Sequence, residues 1–143
     1  MLPLFGRLYK EDIEAIEKVQ RRFTKRLAGL RDYSYSERLR KLNLQSLELR
    51  KIHNKLTLTY QIVFGLSVLK SQDFFQLSER STTRSHQFKL VKQHCRGYRR
   101  YFFNTRVVNI WNCLPKIVVN FSTLLSFKNL LNYVDFSRFL TFS

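Results

Sequence analysis

Apolar residues recur every three or four positions along residues 10–28, and this spacing constrains the fold more than any other feature. At 100° per residue, one face of a helix would carry Ile13, Ile16, Val19, Phe23, Leu27 and Leu30. An apolar stripe with this period is typical of an amphipathic α-helix. Acidic residues precede basic ones along the stretch, which suits the helix dipole. We predict a helix over residues 10–28, ended by Gly29, with the stripe from Ile13 to Leu27 in the core.

Further patterns downstream also indicate helices. Ser34 with Glu37 matches a capping box and predicts a short helix to about Leu42. Another helix is expected from Leu47 to about Gly65, one along NTRVVNIWNCLP, and a last one capped by Ser122. The residues predicted to face inward are Leu49, Ile52, Leu56, Tyr60, Val63, Val107, Ile110, Trp111, Leu114, Phe127, Leu130, Leu131 and Val134.

Gly and Pro are scarce, with 4 and 2 copies, which argues against a turn-rich β-sandwich. We predict a mainly α fold, a small bundle of about five helices. The runs QFKLV and YRRYFF around Gly97 indicate a short β-hairpin near residues 87–103. The length of 143 residues fits a single domain. It would contain a helical subregion, residues 10–66, and a basic and aromatic subregion, residues 71–134.

The net charge of the chain indicates which class of molecule it binds. The chain has 26 Lys and Arg against 10 Asp and Glu, a net charge of +16, and residues 80–134 contain no acid. Such an excess favours binding to nucleic acid, either RNA or DNA. The second most favoured partner is an anionic membrane surface. We expect Phe102 and Phe103 to be core residues. The predicted phosphate contacts are Arg21, Arg22, Lys25, Arg26, Arg84, Lys89, Lys92, Arg96, Arg99, Arg100 and Arg106.

The sequence gives little support for catalysis. The acids are not clustered as a two-metal site requires, and there is no glycine-rich phosphate loop. His86, His94, Cys95 and Cys113 lack the paired spacing of a zinc site, so we expect a surface histidine and buried thiols, with Cys113 in the core. We predict no enzymatic activity, no metal and no cofactor.

The expected location is intracellular, in the nucleus or cytoplasm. Two cysteines provide no disulfide framework, and the N-terminal residues do not match a signal peptide. No apolar run is long enough to span a bilayer, so we expect no integral membrane association.

Six stretches occur in an order that resembles a known family. They are IEKVQRRFTKRLAGL, SYSERLRKLNLQSLELRK, YQIVFGL, TTRSHQFKL, FFNTRVVNIWNCLPKIVV and SFKNLL. Together, over residues 3–132, they resemble the C-terminal region, beyond the polymerase domain, of reverse transcriptases of non-LTR retrotransposons (LINE-type, jockey-like). The resemblance implies a non-catalytic tail that helps to hold template RNA or target DNA, because the polymerase Tyr-x-Asp-Asp signature and the endonuclease lie upstream in that family. It also implies that the upstream polymerase domain is a partner.

Two alternatives stay open at this stage. The chain is expected to be a fragment of a larger polyprotein, a truncated copy, and such a copy can be a translated relic without function. The 10–28 helix can instead bind a membrane surface, as basic amphipathic helices do.

Overall fold

The computed structural model describes residues 3–79, 86–92, 94, 96, 103–119 and 123–140, and these are mainly helical. The helices are α1 (Pro3–Arg26), α2 (Tyr35–Lys41), α3 (Leu47–Val63), α4 (Ser71–Phe74), α5 (Phe103–Asn112) and α6 (Leu124–Leu131), followed by a 3₁₀ turn, Ser137–Phe139. The predicted fold class is therefore confirmed. The described residues contain no strand, and one isolated antiparallel bridge joins Leu77 to Leu90. Residues 93, 95 and 97–102 of the predicted hairpin lie outside the described residues, so the hairpin stays a prediction.

Local capping explains where the short helices begin and end. The Ser34 side chain accepts from the Glu37 amide and the Glu37 carboxylate accepts from the Ser34 amide, so the predicted capping box is confirmed. At the other end of α2, Asn43 adopts φ +53°, and the Leu44 amide donates to the Leu39 carbonyl over 2.8 Å. This pattern is a Schellman motif. The cap of α6 is Thr123, whose side chain accepts from the Ser126 amide, so the prediction of Ser122 is wrong by one residue.

The chain divides into two compact units. The first comprises residues 1–52 and 136–143, and the second comprises residues 53–135. The division falls within α3, whereas the composition changes near residue 71. The prediction of a single domain stays a prediction.

In the first unit, α1 packs against α2 through a face that is largely polar. Ile13 is buried on this face, but so are Glu17 and Thr24. The predicted core stripe is wrong at Ile16, Val19 and Phe23, which are 52%, 65% and 62% exposed. Leu27 is half-buried. The reason is that the polar face finds hydrogen-bond partners on α2 and at the start of α3, so its burial leaves no unsatisfied group.

In the second unit, an aromatic cluster forms the core. The Tyr60 ring on α3 stacks on the Phe127 ring of α6 with centroids 4.4 Å apart, and Trp111 of α5 lies 6.0 Å from Phe127. Trp111, Tyr60 and Phe127 are almost fully buried. The inward residues predicted for α3, α5 and α6 are buried or half-buried. Cys113 is an exception to the predicted core, because it follows the end of α5 and is exposed.

An extended segment, residues 86–91, is held between α5 and residues 76–78. The Asn112 side chain accepts from the Leu90 amide and donates to the Leu90 carbonyl, each over 2.9 Å. The Trp111 indole donates to the Phe88 carbonyl over 2.8 Å. On its other edge, the segment hydrogen bonds to the backbone of Gln76 and Ser78. Side chains of α5 thus replace the ladder that a neighbouring strand would supply.

His86 fixes the beginning of this segment. Its Nδ1 accepts from the Phe88 amide over 3.2 Å, so its Nε2 carries the proton and donates to the Trp111 carbonyl over 2.9 Å. The His86 side chain is buried, whereas His94 is exposed. Burial lowers the pKa of His86, because the charged imidazolium is disfavoured in the core.

Candidate nucleic-acid interface

A concave region of the surface, with a volume of about 540 Å³, lies at the C-terminal end of α1. Four cationic side chains line it: Arg22, Lys25 and Arg26 from the last turns of the helix, and Arg31 from the loop that follows. All four are exposed. We call this surface the cationic groove. Three of its cations are predicted phosphate contacts, and the structure adds Arg31.

The turn after α1 brings Arg31 beside the helix. Gly29 adopts φ +75°, a conformation that side-chain-bearing residues rarely take. The Leu30 amide donates to the Leu27 carbonyl over 3.1 Å, and the Tyr33 amide donates to the Leu30 carbonyl over 3.3 Å. These bonds close two successive turns. The groove is therefore built by a compact loop at a helix end.

Arg38 on α2 ties this loop to α1. Its guanidinium is buried and donates to the Tyr33 carbonyl over 2.6 Å, to the Arg21 carbonyl over 3.3 Å and to the Thr24 hydroxyl over 3.2 Å. Charge-assisted hydrogen bonds of this kind are stronger than neutral ones. Arg38 therefore connects the loop after α1 to the helix, and it does not itself line the groove. Sequence reasoning missed this role, although Arg38 stands next to the inward Leu39 in the short helix.

Within the described part of the chain, the groove cations have no acidic partner. Among the described residues, Arg22, Lys25, Arg26 and Arg31 make no ion pair or hydrogen bond through their side chains. By contrast, Lys18, which lies about one helical turn before Arg22 on α1, pairs with Glu14 over 3.6 Å. Four uncompensated cations around one concavity produce a positive potential that attracts anions.

Arg21 is placed differently from its neighbours on α1. Its guanidinium lies 4.8 Å from the centroid of the Tyr35 ring, and the Arg38 guanidinium lies 5.6 Å from the same ring. Arg21 is not among the residues that line the groove. Its side chain, though exposed, is held by a cation–π contact.

Tyr35 also belongs to a buried polar network that holds α1 in place. Its hydroxyl donates to the Glu17 carboxylate and accepts from the Gln20 amide over 3.0 Å. The other Glu17 oxygen accepts from the Leu47 amide over 2.9 Å, at the N-terminus of α3. Burial and the hydrogen bond with Glu17 raise the pKa of Tyr35 to about 12. The neutral phenol therefore persists as a donor to Glu17 well above neutral pH.

The remaining predicted contacts belong to the second unit. Lys92 and Arg96 are exposed, whereas Lys89 and Arg106 are half-buried. Arg106 makes an interaction with other residues. Arg84, Arg99 and Arg100 lie outside the described residues, as do Phe102 and the side chain of Phe103.

The described residues contain neither a cluster of metal ligands nor a helix that could span a membrane. Within the described ranges, no three His, Cys, Asp or Glu side chains lie together as metal ligands would. No helix in the described part of the chain combines the length and apolar character needed to cross a bilayer.

Comparison of the chain with protein-family models, with curated proteins and with solved structures finds no match. The resemblance to retrotransposon reverse transcriptases therefore rests on the six sequence stretches alone.

Proposed function

We propose that the protein binds RNA or DNA through phosphate contacts and that the cationic groove is one of its contact sites. The observation that carries this proposal is a set of four exposed cations around one concavity, which have no ion-pair partner among the residues that the structure describes. Lys and Arg that neutralise phosphates release counterions, and this supplies most of the free energy of non-specific binding. Contacts of this kind position a nucleic acid without reading its sequence.

The overall charge of +16 supports the same function. The acid-free stretch of residues 80–134 adds further cations, of which Lys92 and Arg96 are exposed in the second unit. A chain with this excess repels itself unless an anionic partner is bound. We therefore expect additional phosphate contacts beyond the groove, spread over the second unit.

We also propose that the chain is the non-catalytic C-terminal region of a non-LTR retrotransposon reverse transcriptase. Two of the stretches that carry the resemblance, TTRSHQFKL and FFNTRVVNIWNCLPKIVV, supply the paired hydrogen-bonding partners around Trp111. These two stretches are thus parts of one packed unit, and the proposed origin rests on the ordered resemblance of the six stretches. The test is the genomic DNA upstream of codon 1: a polymerase remnant with a Tyr-x-Asp-Asp codon run supports this origin, and an unrelated promoter and exon structure contradicts it.

The binding proposal is tested by the salt dependence of affinity. Fluorescence anisotropy with labelled single-stranded RNA and duplex DNA gives the slope of log K against log[salt]. Each phosphate contact contributes roughly 0.7 to 0.9 to the magnitude of that slope. Replacing the four groove cations by glutamine (R22Q, K25Q, R26Q, R31Q) should lower the slope by about 3 to 4 and weaken binding to all sequences alike.

The matched control removes four other exposed cations of the first unit, Arg40, Lys41, Arg50 and Arg138, which do not line the groove. It changes the net charge by the same amount, so bulk electrostatics falls equally in both variants. We expect the control to lower the slope by less than about 1, since few direct contacts are lost. Equal slopes in the two variants would show that the groove is not a contact site, and a flat response of the unmodified protein would refute nucleic-acid binding.

A further inference from the structure

An apolar stripe on α1 is exposed to solvent. Ile16, Val19 and Phe23 are each more than half exposed and follow one another at spacings of three and four residues. They lie beside the polar face of α1 that packs on α2, about a quarter turn away around the helix. We call these three residues the α1 stripe. Large apolar side chains gathered on one face usually mark an interaction surface.

Charges along α1 indicate what covers this surface. The exposed acids Glu11 and Asp12 lie before the stripe, and the exposed cations Arg22, Lys25 and Arg26 lie towards its end. Two such helices in parallel would set acid against acid and cation against cation. In the antiparallel orientation, each acidic half faces a basic half. The helix is therefore complementary to a reversed copy of itself.

We propose that α1 pairs antiparallel with α1 of a second copy of this chain through Ile16, Val19 and Phe23. In the register that best matches the charges, Val19 lies at the two-fold axis, so that Ile16 meets the partner's Phe23. The same register sets Asp12 opposite the partner's Arg26. These positions follow the alternating four and three spacing that antiparallel helix pairs use for their seam. A two-fold arrangement of this kind is closed, so it forms dimers and not filaments.

The expected strength follows from the size of the surface. The 24 residues of α1 span about 36 Å, since each residue rises 1.5 Å. The stripe itself is a patch on the order of a few hundred Å², smaller than the ~800 Å² that each partner buries in a standard stable interface. We therefore expect a weak dimer, with a dissociation constant in the micromolar range, that weakens as salt screens the flanking charges.

Sedimentation equilibrium of the full chain, freed of nucleic acid, tests the proposal. The weight-average mass should rise from monomer towards dimer across the micromolar range. Val19→Glu places two carboxylates at the axis and should raise the dissociation constant at least tenfold. Val68→Glu is the matched control, since Val68 is 99% exposed and lies in the other unit, and it should leave the constant unchanged. Circular dichroism checks that both variants keep their helix content.

Disulfide cross-linking tests the orientation. In a background with Cys95→Ser and Cys113→Ser, chains carrying Asp12→Cys are mixed with chains carrying Arg26→Cys. The antiparallel register predicts a mixed disulfide and little self-linking of either variant. Efficient self-linking of Arg26→Cys would overturn the orientation.

Three further results would overturn the pairing itself. One is a monomer at all concentrations, and another is a dimer that Val19→Glu and Val68→Glu affect equally. The third is a monomer that sediments with phosphatidylserine vesicles and loses this binding on Val19→Glu, which would assign the stripe to a lipid surface. None of these measurements includes nucleic acid, so their outcome is independent of the binding function proposed above.

Discussion

Replacing Glu17 with alanine should destabilise the first unit by about 2 to 7 kcal/mol. The Glu17 side chain is only 1% exposed, and its two oxygens accept from the Tyr35 hydroxyl and from the Leu47 amide. Truncation leaves both donors without this acceptor, and a buried unsatisfied donor costs about 1–3 kcal/mol. Loss of a negative charge at the N-terminus of α3 adds about 0.3–1 kcal/mol. The sum is a large part of the 5–15 kcal/mol typical of a folded domain.

The assay is urea unfolding followed by far-UV circular dichroism, which reports total helix content, and α1 is the longest of the described helices. Glu17→Gln keeps the size and one acceptor, so it should cost roughly half as much as Glu17→Ala. Glu14→Ala is the matched control on the same helix, because it removes the surface ion pair with Lys18, and it should cost less than about 0.5 kcal/mol. A cost for Glu17→Ala no larger than that of this control would contradict the stabilising role of the Glu17 hydrogen bonds.

A second readout is independent of overall stability. Ultraviolet titration of the phenols should show Tyr35 ionising at about 12 in the unmodified protein. Removing Glu17 deletes one of the two main causes of this raised pKa, while burial of the ring remains. The pKa of Tyr35 should therefore fall towards its ordinary value of ~10 in Glu17→Ala. An unchanged titration curve would contradict the assigned hydrogen bond.

Two predictions concern the second unit and are measured by urea unfolding followed through the fluorescence of Trp111. Asn112→Ala removes both hydrogen bonds to Leu90 and should lower the free energy of unfolding by about 2–3 kcal/mol. The control Asn109→Ala, at an exposed position of the same helix, should lower it by less than ~0.5 kcal/mol. Equal losses in the two variants would contradict the docking of residues 86–91. Burial lowers the pKa of His86 in the folded state. The contribution of neutral His86 to stability is therefore complete above the unfolded-state pKa of ~6.5, and it is lost as pH falls through the folded-state pKa. Below pH ~6.5, the free energy of unfolding should therefore depend less steeply on pH in His86→Gln than in the unmodified protein. An equal pH dependence in both proteins would contradict the burial of His86.

Local signals in the sequence predicted α2, α3, α5 and α6 because their causes are local, but they did not predict α4 or the start of α1 at Pro3. The Ser34 and Glu37 capping box needs three residues of chain, and the left-handed Gly29 and Gly65 need only their own backbone freedom. The contacts that shape the two units are long-range. Asn112 and Leu90 are separated by 22 residues and Glu17 and Leu47 by 30, and neither pair has a periodic signature. Sequence patterns therefore predicted the elements but not the bonds that join them.

The predicted burial of Ile16, Val19 and Phe23 on α1 is wrong for a different physical reason. Periodicity identifies an apolar stripe, but the stripe is buried only if the opposing surface is apolar as well. Here the face beside it carries Glu17, Gln20 and Thr24, and α2 presents Tyr35 and Arg38 to them. A polar face whose groups all find partners can be buried at modest net cost.

Burial of this polar face has consequences for both proposed surfaces. It turns Ile16, Val19 and Phe23 outward, which leaves an apolar surface free for a partner. It also aligns the last turns of α1 with the Arg38-bound loop, which gathers Arg31 with the helical cations. The Glu17 and Arg38 hydrogen bonds thus orient α1 about its own axis. A variant that weakens them, such as Glu17→Ala, should therefore weaken both nucleic-acid binding and dimer formation, although Glu17 touches neither surface.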